Sequence, residues 1–494
     1  MKRRFVCVCL TVFLLVALIG QGTVCFAKGS DAAEEFALQF WQGVQAGEQS
    51  VSITCDASDG QEVCNEAFER YPVLQHYYGG MSYINYKTYT KMDVTFCNLQ
   101  DPADQIFVIT SEEEMFALVG AALSRLQPEL KFMTTNGFIL TEEIMERIAE
   151  NIRHQYPLSY MGYQGWISSH SAVEGLDVRD YTLKFQWFDD LDLTTLKQWR
   201  QETEQAALRI AKTEFALDMP DELKILRIHD YLVNHTRYNI KNMDQPGNHL
   251  AYGALVRGSC VCQGYSEACL VLCQAAGLEA VYVPGDGVDD QGVASAHGWN
   301  AVKLNGEWYM LDTTWDDPVS DEDILRYDYF LVTNRFLQQD HIWQQEDYPL
   351  CTATTLNAQK VLDFAKKDQK QYTRYSDELL VTMAEAEEAC QQVLKNCRPK
   401  LPGETGESSE NDRPTQPTTG VSQNQKETRP TPPSGSSEPT SKDTDSGSGV
   451  WIVIVLLAVG GGAAFLITRM RQPKKKPQKK VDIKRPTQRG FDDL

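Results

Sequence analysis

Gly258-Ser-Cys-Val-Cys-Gln-Gly-Tyr-Ser-Glu-Ala-Cys-Leu-Val-Leu-Cys-Gln-Ala-Ala-Gly277 is the stretch on which the reading of this chain turns. From Gln263 to Ala276 the pattern is helical, and Gly277 is a natural stop because glycine takes the left-handed conformation without strain. Cys262 therefore falls at a helix N-terminus, where unpaired N–H groups and the positive dipole end favour a thiolate. Cys260 precedes the helix, and Cys269 and Cys273, one turn apart inside it, read as small apolar core groups. A zinc site from these four cysteines is the rival reading, but the paired spacing of structural zinc sites is missing. No metal is expected.

Working outward, Ser295-Ala-His-Gly-Trp-Asn-Ala-Val-Lys-Leu-Asn-Gly-Glu-Trp-Tyr-Met-Leu-Asp-Thr-Thr-Trp315 places Asn305-Gly306 between two strand-like runs, a two-residue hairpin signal. Counting from the turn, Leu304 faces Glu307, Val302 faces Tyr309 and Trp299 faces Asp312. His297 then shares a face with Asp312 as its diagonal neighbour, about 7–8 Å away with side chains able to meet. Such a pair fixes the histidine tautomer and leaves the other ring nitrogen for a thiol. Spacing alone does not bring Cys262 to them. Tyr252 and Gln263 are candidates for an oxyanion site beside the N–H groups of the helix start. Gln263 reads equally well as an ordinary first-turn residue. His229, between Ile228 and Leu232, reads as packing, and His76, His154 and His170 as structural singles.

Three blocks, Ala251-Tyr-Gly-Ala-Leu-Val with Val261-Cys-Gln-Gly-Tyr-Ser-Glu-Ala, His297-Gly-Trp-Asn-Ala-Val, and Trp308-Tyr-Met-Leu-Asp312-Thr-Thr-Trp-Asp-Asp-Pro318, occur in this order. With Ile228-His-Asp-Tyr-Leu-Val upstream and Tyr329-Phe-Leu-Val downstream, residues 213–345 resemble the transglutaminase-like superfamily. The resemblance implies a papain-like core and a catalytic triad of Cys262, His297 and Asp312. It also implies acyl transfer on peptide or amide bonds, resolved by water (protease or amidase) or by an amine (transamidase). Gly298 stands where relatives often carry alanine, which leaves the triad intact. The alternative is a non-catalytic surface module that holds a peptide or cell-wall component in the same cleft.

The rest of the chain frames this domain. Among 494 residues, 42% are hydrophobic and 23% charged, enough for a globular body of more than one domain. The net charge of −21 is uneven: 1–27 carry +3 and 450–494 carry +7, so 28–449 carry −31. An acidic body of that size excludes a nucleic-acid partner. The overall expectation is an α+β protein. Residues 1–27 read as a signal peptide and 28–212 as an N-terminal α+β region. In that region Phe36, Phe40 and Trp41 share a helical face, Met92, Val94 and Phe96 alternate as a strand, and Ser111 and Thr141 begin helices. After the core come a helical segment at 346–396 and a disordered Pro/Ser/Thr-rich stalk at 397–449. Residues 450–468 read as a transmembrane helix and 469–494 as a basic cytoplasmic tail. These ends imply a single-pass cell-membrane protein with an extracellular head. No cofactor motif is present; the expected partners are a peptide, protein or cell-wall substrate and the membrane. Cys55 and Cys64, nine apart, are the expected disulfide.

Overall fold

The structure, a computed structural model, describes residues 31–172, 176–188, 191–319, 324–372, 379–403 and 451–456. All of them belong to one compact unit within residues 1–460. Helix α1 (Ala32–Ala46) is capped by the Asp31 carboxylate, which accepts from the Ala33 N–H at 3.0 Å. With α2 (Gly60–Arg70) it covers an antiparallel sheet of β1 (Ser50–Cys55), β2 (Tyr78–Asn85) and β3 (Thr90–Phe96), ordered β1-β3-β2. Phe36, Phe40 and Phe68 close this cluster with Met92 and Val94, the inward-facing residues of β3. Cys55 and Cys64 are free thiols buried in the same cluster, which corrects the expected disulfide. They fill the core as small apolar groups, and burial pushes both thiols up to about 12.

A second layer follows from β4 (Phe107–Ile109), α3 (Glu112–Ser124), β5 (Glu129–Thr134), α4 (Glu142–Gln155), β6 (Tyr163–Ala172) and β7 (Arg179–Trp187). Ser111 and Thr141 cap α3 and α4 through their hydroxyls. The strands run in the order β6-β7-β5-β4, with only β4 and β5 parallel. His76 is bridged between two carboxylates here, with Nδ1 3.0 Å from Asp180 and Nε2 3.1 Å from Asp101. The long helix α5 (Leu193–Glu214) ties this layer to the next. Its fully buried Arg200 donates to Met161 O at 2.9 and 2.6 Å and to Leu123 O at 2.7 Å. Arg200→Ala strands these carbonyls in the interior and is expected to cost about 3 kcal/mol, read as a lower urea midpoint. An unchanged midpoint would show that the guanidinium is not a structural tie.

The remaining elements are α6 (Asp221–His235), β8 (Arg237–Tyr238), β9 (Ser259–Cys260), α7 (Cys262–Ala275), β10 (Glu279–Val288), β11 (Ala294–Leu304), β12 (Glu307–Leu311), β13 (Phe330–Val332), β14 (His341–Ile342), α8 (Ala358–Lys367) and α9 (Met383–Leu394). The sheet is antiparallel throughout and ordered β13-β12-β11-β10-β14. Tyr265, Cys269 and Leu272 of α7 pack with Ile228 and Leu232 of α6 and Val302 and Tyr309 of the sheet in the largest core. Gly277, at φ +72°, ends α7 with paired bonds from its own N–H to Gln274 O and from Leu278 N–H to Cys273 O. Asn305 (φ 53°) and Gly306 (φ 83°) form the turn between β11 and β12. That turn pairs Leu304 with Glu307 and Val302 with Tyr309.

Within the run at 450–468, expected as a transmembrane helix, the described residues form a strand instead. Its residues Trp451–Leu456 form strand β15, antiparallel to β6 from Trp451 opposite His170 to Leu456 opposite Gly165. Among the described residues no helix is long and apolar enough to cross a membrane, so the single-pass placement and the membrane localisation drawn from it are withdrawn. The physical reason lies in the residue types: Trp-Ile-Val-Ile-Val is dominated by β-branched side chains, and β6 otherwise presents an unpaired edge. The expected signal peptide, residues 457–468, most of the stalk (404–449) and the basic tail lie outside the described residues. The first stalk residues belong to the folded body: Cys397 is buried, and a Cβ at Gly403 would stand 3.0 Å from Leu38 of α1.

Candidate active site

Cys262 opens α7, and the preceding Val261 offers no side-chain cap, so the N–H groups of the first turn are not taken by a capping side chain. Two glycines hold this start in place. A Cβ on Gly264 would come within 2.6 Å of Asn248 O and of Cys260 Cβ, and one on Gly253 within 2.5 Å of Gly247 O. The loop before the helix therefore presses directly on its first turn. Cys260 is fully buried beside it, in the short parallel pairing of β9 with β8.

His297 comes from β11 and is 9% exposed; Asp312 follows β12 and is 1% exposed. The β11–β12 ladder ends at Asn300 opposite Leu311, where a bulge between Met310 and Leu311 turns the chain. Beyond it the Asp312 N–H donates to Tyr329 O, and the two side chains still meet: His297 Nε2–H donates to Asp312 Oδ2 at 2.7 Å. Asp312 Oδ1 accepts from the N–H groups of Thr314 at 2.9 Å and Trp315 at 3.2 Å. Oδ2 also accepts from a second imidazole, His341 Nε2–H, at 3.0 Å.

The electrostatics follow from this geometry. Burial works against the His297 cation, but the Asp312 carboxylate and then the neighbouring Cys262 thiol raise His297 above the ordinary imidazole range. Burial would likewise raise the Asp312 carboxyl, yet His297 and His341 together hold it well below the usual carboxylate range. The Cys262 thiol thus neighbours an imidazole whose Nε2 is held by the Asp312 carboxylate. That arrangement can move a proton from sulfur to nitrogen and keep the resulting imidazolium oriented.

The two oxyanion candidates are engaged elsewhere. Gln263 Nε2–H donates to Glu267 Oε1 at 2.9 Å one turn into the helix, and the Tyr252 ring stacks on Trp199 at 4.6 Å. Tyr238, at the end of β8, instead brings its phenol close to Cys262. Burial, then the neighbouring thiols of Cys262 and Cys260, push this phenol up, so it keeps its proton as a donor at the site. Nothing in the spacing singled it out. His229 is more than packing: Nε2 lies 3.1 Å from Asp316 and Nδ1 3.0 Å from Asp230, joining α6 to the loop after Asp312. His341, 29 residues beyond Asp312, belongs to a two-residue strand that carries no periodic signal. His297, Asp312 and His341 also present one donor atom each within 4.8 Å of one another, a spacing that a metal ion could use. Both imidazole nitrogens already stand at hydrogen-bond length from the same carboxylate oxygen, and we read the group as hydrogen-bonded.

Residues 210–313 match the transglutaminase-like superfamily. The chain is 30% identical over 95 residues to the Kyphoscoliosis peptidase of Mus musculus and 28% identical over 95 residues to that of Homo sapiens. Each match covers 18% of this chain and 14% of the relative, so the chain spans about one seventh of the length of the curated relatives it matches. A solved structure described as a TGase aligns with 42% of this chain and 59% of its own at 13% identity and a TM-score of 0.20. The periplasmic domain of TgpA from Pseudomonas aeruginosa, bound to ethylmercury, aligns with 28% and 56% at 18% identity and a TM-score of 0.18.

Proposed function

From a chain whose residues 210–313 are a transglutaminase-like domain, we propose a cysteine enzyme that transfers acyl groups from peptide or protein amides, with Cys262 as nucleophile. The observation that carries this reading is the buried 2.7 Å bond between His297 and Asp312, with the Cys262 thiol close enough to the ring to raise it. His297 takes the thiol proton, and the thiolate attacks the amide carbonyl. The N–H groups at the start of α7 and the Tyr238 phenol stabilise the tetrahedral oxyanion. The imidazolium then protonates the leaving amine, and a thioester on Cys262 remains. Water or an amine, deprotonated by His297, resolves it and returns the thiol. Asp312 keeps the ring in the tautomer that faces sulfur with a free nitrogen.

A mild electrophilic thiol probe tests this reading without a known substrate. The expected result is fast labelling confined to Cys262, slowed at least about ten-fold by His297→Ala because the thiolate loses its partner. Slow labelling that is indifferent to His297 would overturn the enzyme reading and favour a module that holds its ligand without turnover.

A further inference from the structure

His341 lies outside the matched segment 210–313 and outside the triad, yet its ring is built into the site beside Asp312. It is 2% exposed. Nε2 is 3.0 Å from Asp312 Oδ2, and Nδ1 is 2.7 Å from Asp340 Oδ1. An ionised carboxylate only accepts, so a ring held between two of them carries a proton on both nitrogens. The ring is locked from every side. Trp315 packs against it at 4.3 Å between centroids, Trp299 at 4.8 Å, His297 at 5.4 Å and Tyr329 at 5.5 Å. The Tyr329 hydroxyl donates to the far oxygen of Asp340 at 2.7 Å and fixes the outer carboxylate. Backbone pairing of β14 with β10, Gly287 opposite His341 and Asp286 opposite Ile342, holds the residue at the sheet edge.

We propose that His341 is a positioning residue of the triad: a fixed imidazolium that shares the Asp312 carboxylate with His297 and so limits how basic His297 becomes. The proposal rests on the acyl-transfer reading above. Its logic is charge balance on one oxygen. Asp312 alone would stabilise the His297 cation strongly, and a histidine that holds its proton too firmly protonates the leaving amine poorly and fails as the base for the incoming water or amine. A second cation 3.0 Å from the same oxygen withdraws part of that stabilisation and repels the His297 cation directly. The charged and titratable groups facing His341 are Asp312, Asp340, His297 and, through Asp340, Tyr329; Asp286 flanks it on β10.

The test is the pH profile of Cys262 alkylation by iodoacetamide in the full chain, together with the histidine ring signals in NMR. The alkaline limb reports loss of the His297 proton. In His341→Gln, which keeps a donor towards Asp312 but no charge, that limb is expected to move up by about one pH unit, with the His297 signal moving alongside it. Asp340→Asn removes only the outer, 30%-exposed carboxylate and frees His341 to lose its proton. It is expected to move the limb in the same direction by less, and it keeps the test open should His341→Gln misfold. Limbs that stay in place in the folded variants, whatever the plateau does, would reduce His341 to a structural residue and overturn the proposal. Wild-type protein in which Cys262 is not the labelled thiol would overturn the acyl-transfer reading instead, so the two failures are distinguishable.

Discussion

Cys262→Ala is expected to form no covalent acyl adduct and to lower turnover of a reactive ester or amide by roughly 10⁴-fold or more, the scale on which loss of a nucleophile falls. The substitution sits at the first position of α7, where alanine is an excellent helix former and where the native side chain is only partly buried. The melting temperature should therefore stay within a few degrees of wild type while intact-mass spectrometry loses the acyl adduct. The other nine described cysteines are poor substitutes. Buried ones such as Cys260 and Cys64 have their thiols pushed up by burial. A Cys262→Ala protein that still forms the adduct, or still turns over at the wild-type rate, would end the assignment of Cys262 as nucleophile.

Asp312→Asn is expected to slow acyl transfer by about 10³- to 10⁴-fold and, unlike the first substitution, to weaken the fold as well. The carboxylate accepts four bonds, two from backbone N–H groups and two from imidazoles. The amide oxygen can keep the backbone pair, but its NH2 then confronts the N–H groups of His297 and His341. His297 must move its proton to the nitrogen that faces the thiol, which removes the base, and His341 loses one of its two anchors. Breaking a fully buried charged group of this kind costs about 3 kcal/mol. The sign with pH follows from the depressed Asp312 carboxyl: its contribution is complete above the ordinary aspartate value and fades as pH falls towards its own. The stability gap between wild type and Asp312→Asn should therefore narrow in acid. A gap that widens in acid, or a rate within ten-fold of wild type, would mean that Asp312 does not orient the histidine.

The local signals that built the site were strong because they act over a few residues. Asn305-Gly306 has one low-energy way to turn, and that turn set which residues of β11 and β12 oppose one another. Gly277 and the apolar spacing of α7 likewise placed Cys262 at the head of its helix. The bulge at Met310/Leu311 was invisible to this counting, since it depends on pairing with β13, and so was the route by which Asp312 reaches His297. Tyr238 and His341 arrive from two-residue strands whose position is set entirely by what they pack against. The membrane span expected at 450–468 rested on the length of an uncharged run and the basic residues after it, and neither says whether the run is helix or strand. Its β-branched residues fit a strand as well as a helix, and the deciding factor was an open sheet edge about 280 residues earlier in the chain.

Pairing of β15 with β6 changes what residues 404–450 are mechanically. Gly403 rests against α1 and Trp451 lies opposite His170, so both flanks of this segment are held on the same folded body. A tether fixed at one end gains reach with length; a closed loop gains none, and its cost is the entropy of bringing the ends together. For the 47 residues at 404–450, that cost is about 3 kcal/mol by the logarithmic closure rule. Six residues of β-ladder must offset it continuously, and a single cut anywhere in the loop would turn the last strand of this sheet from an intramolecular neighbour into a dissociable peptide.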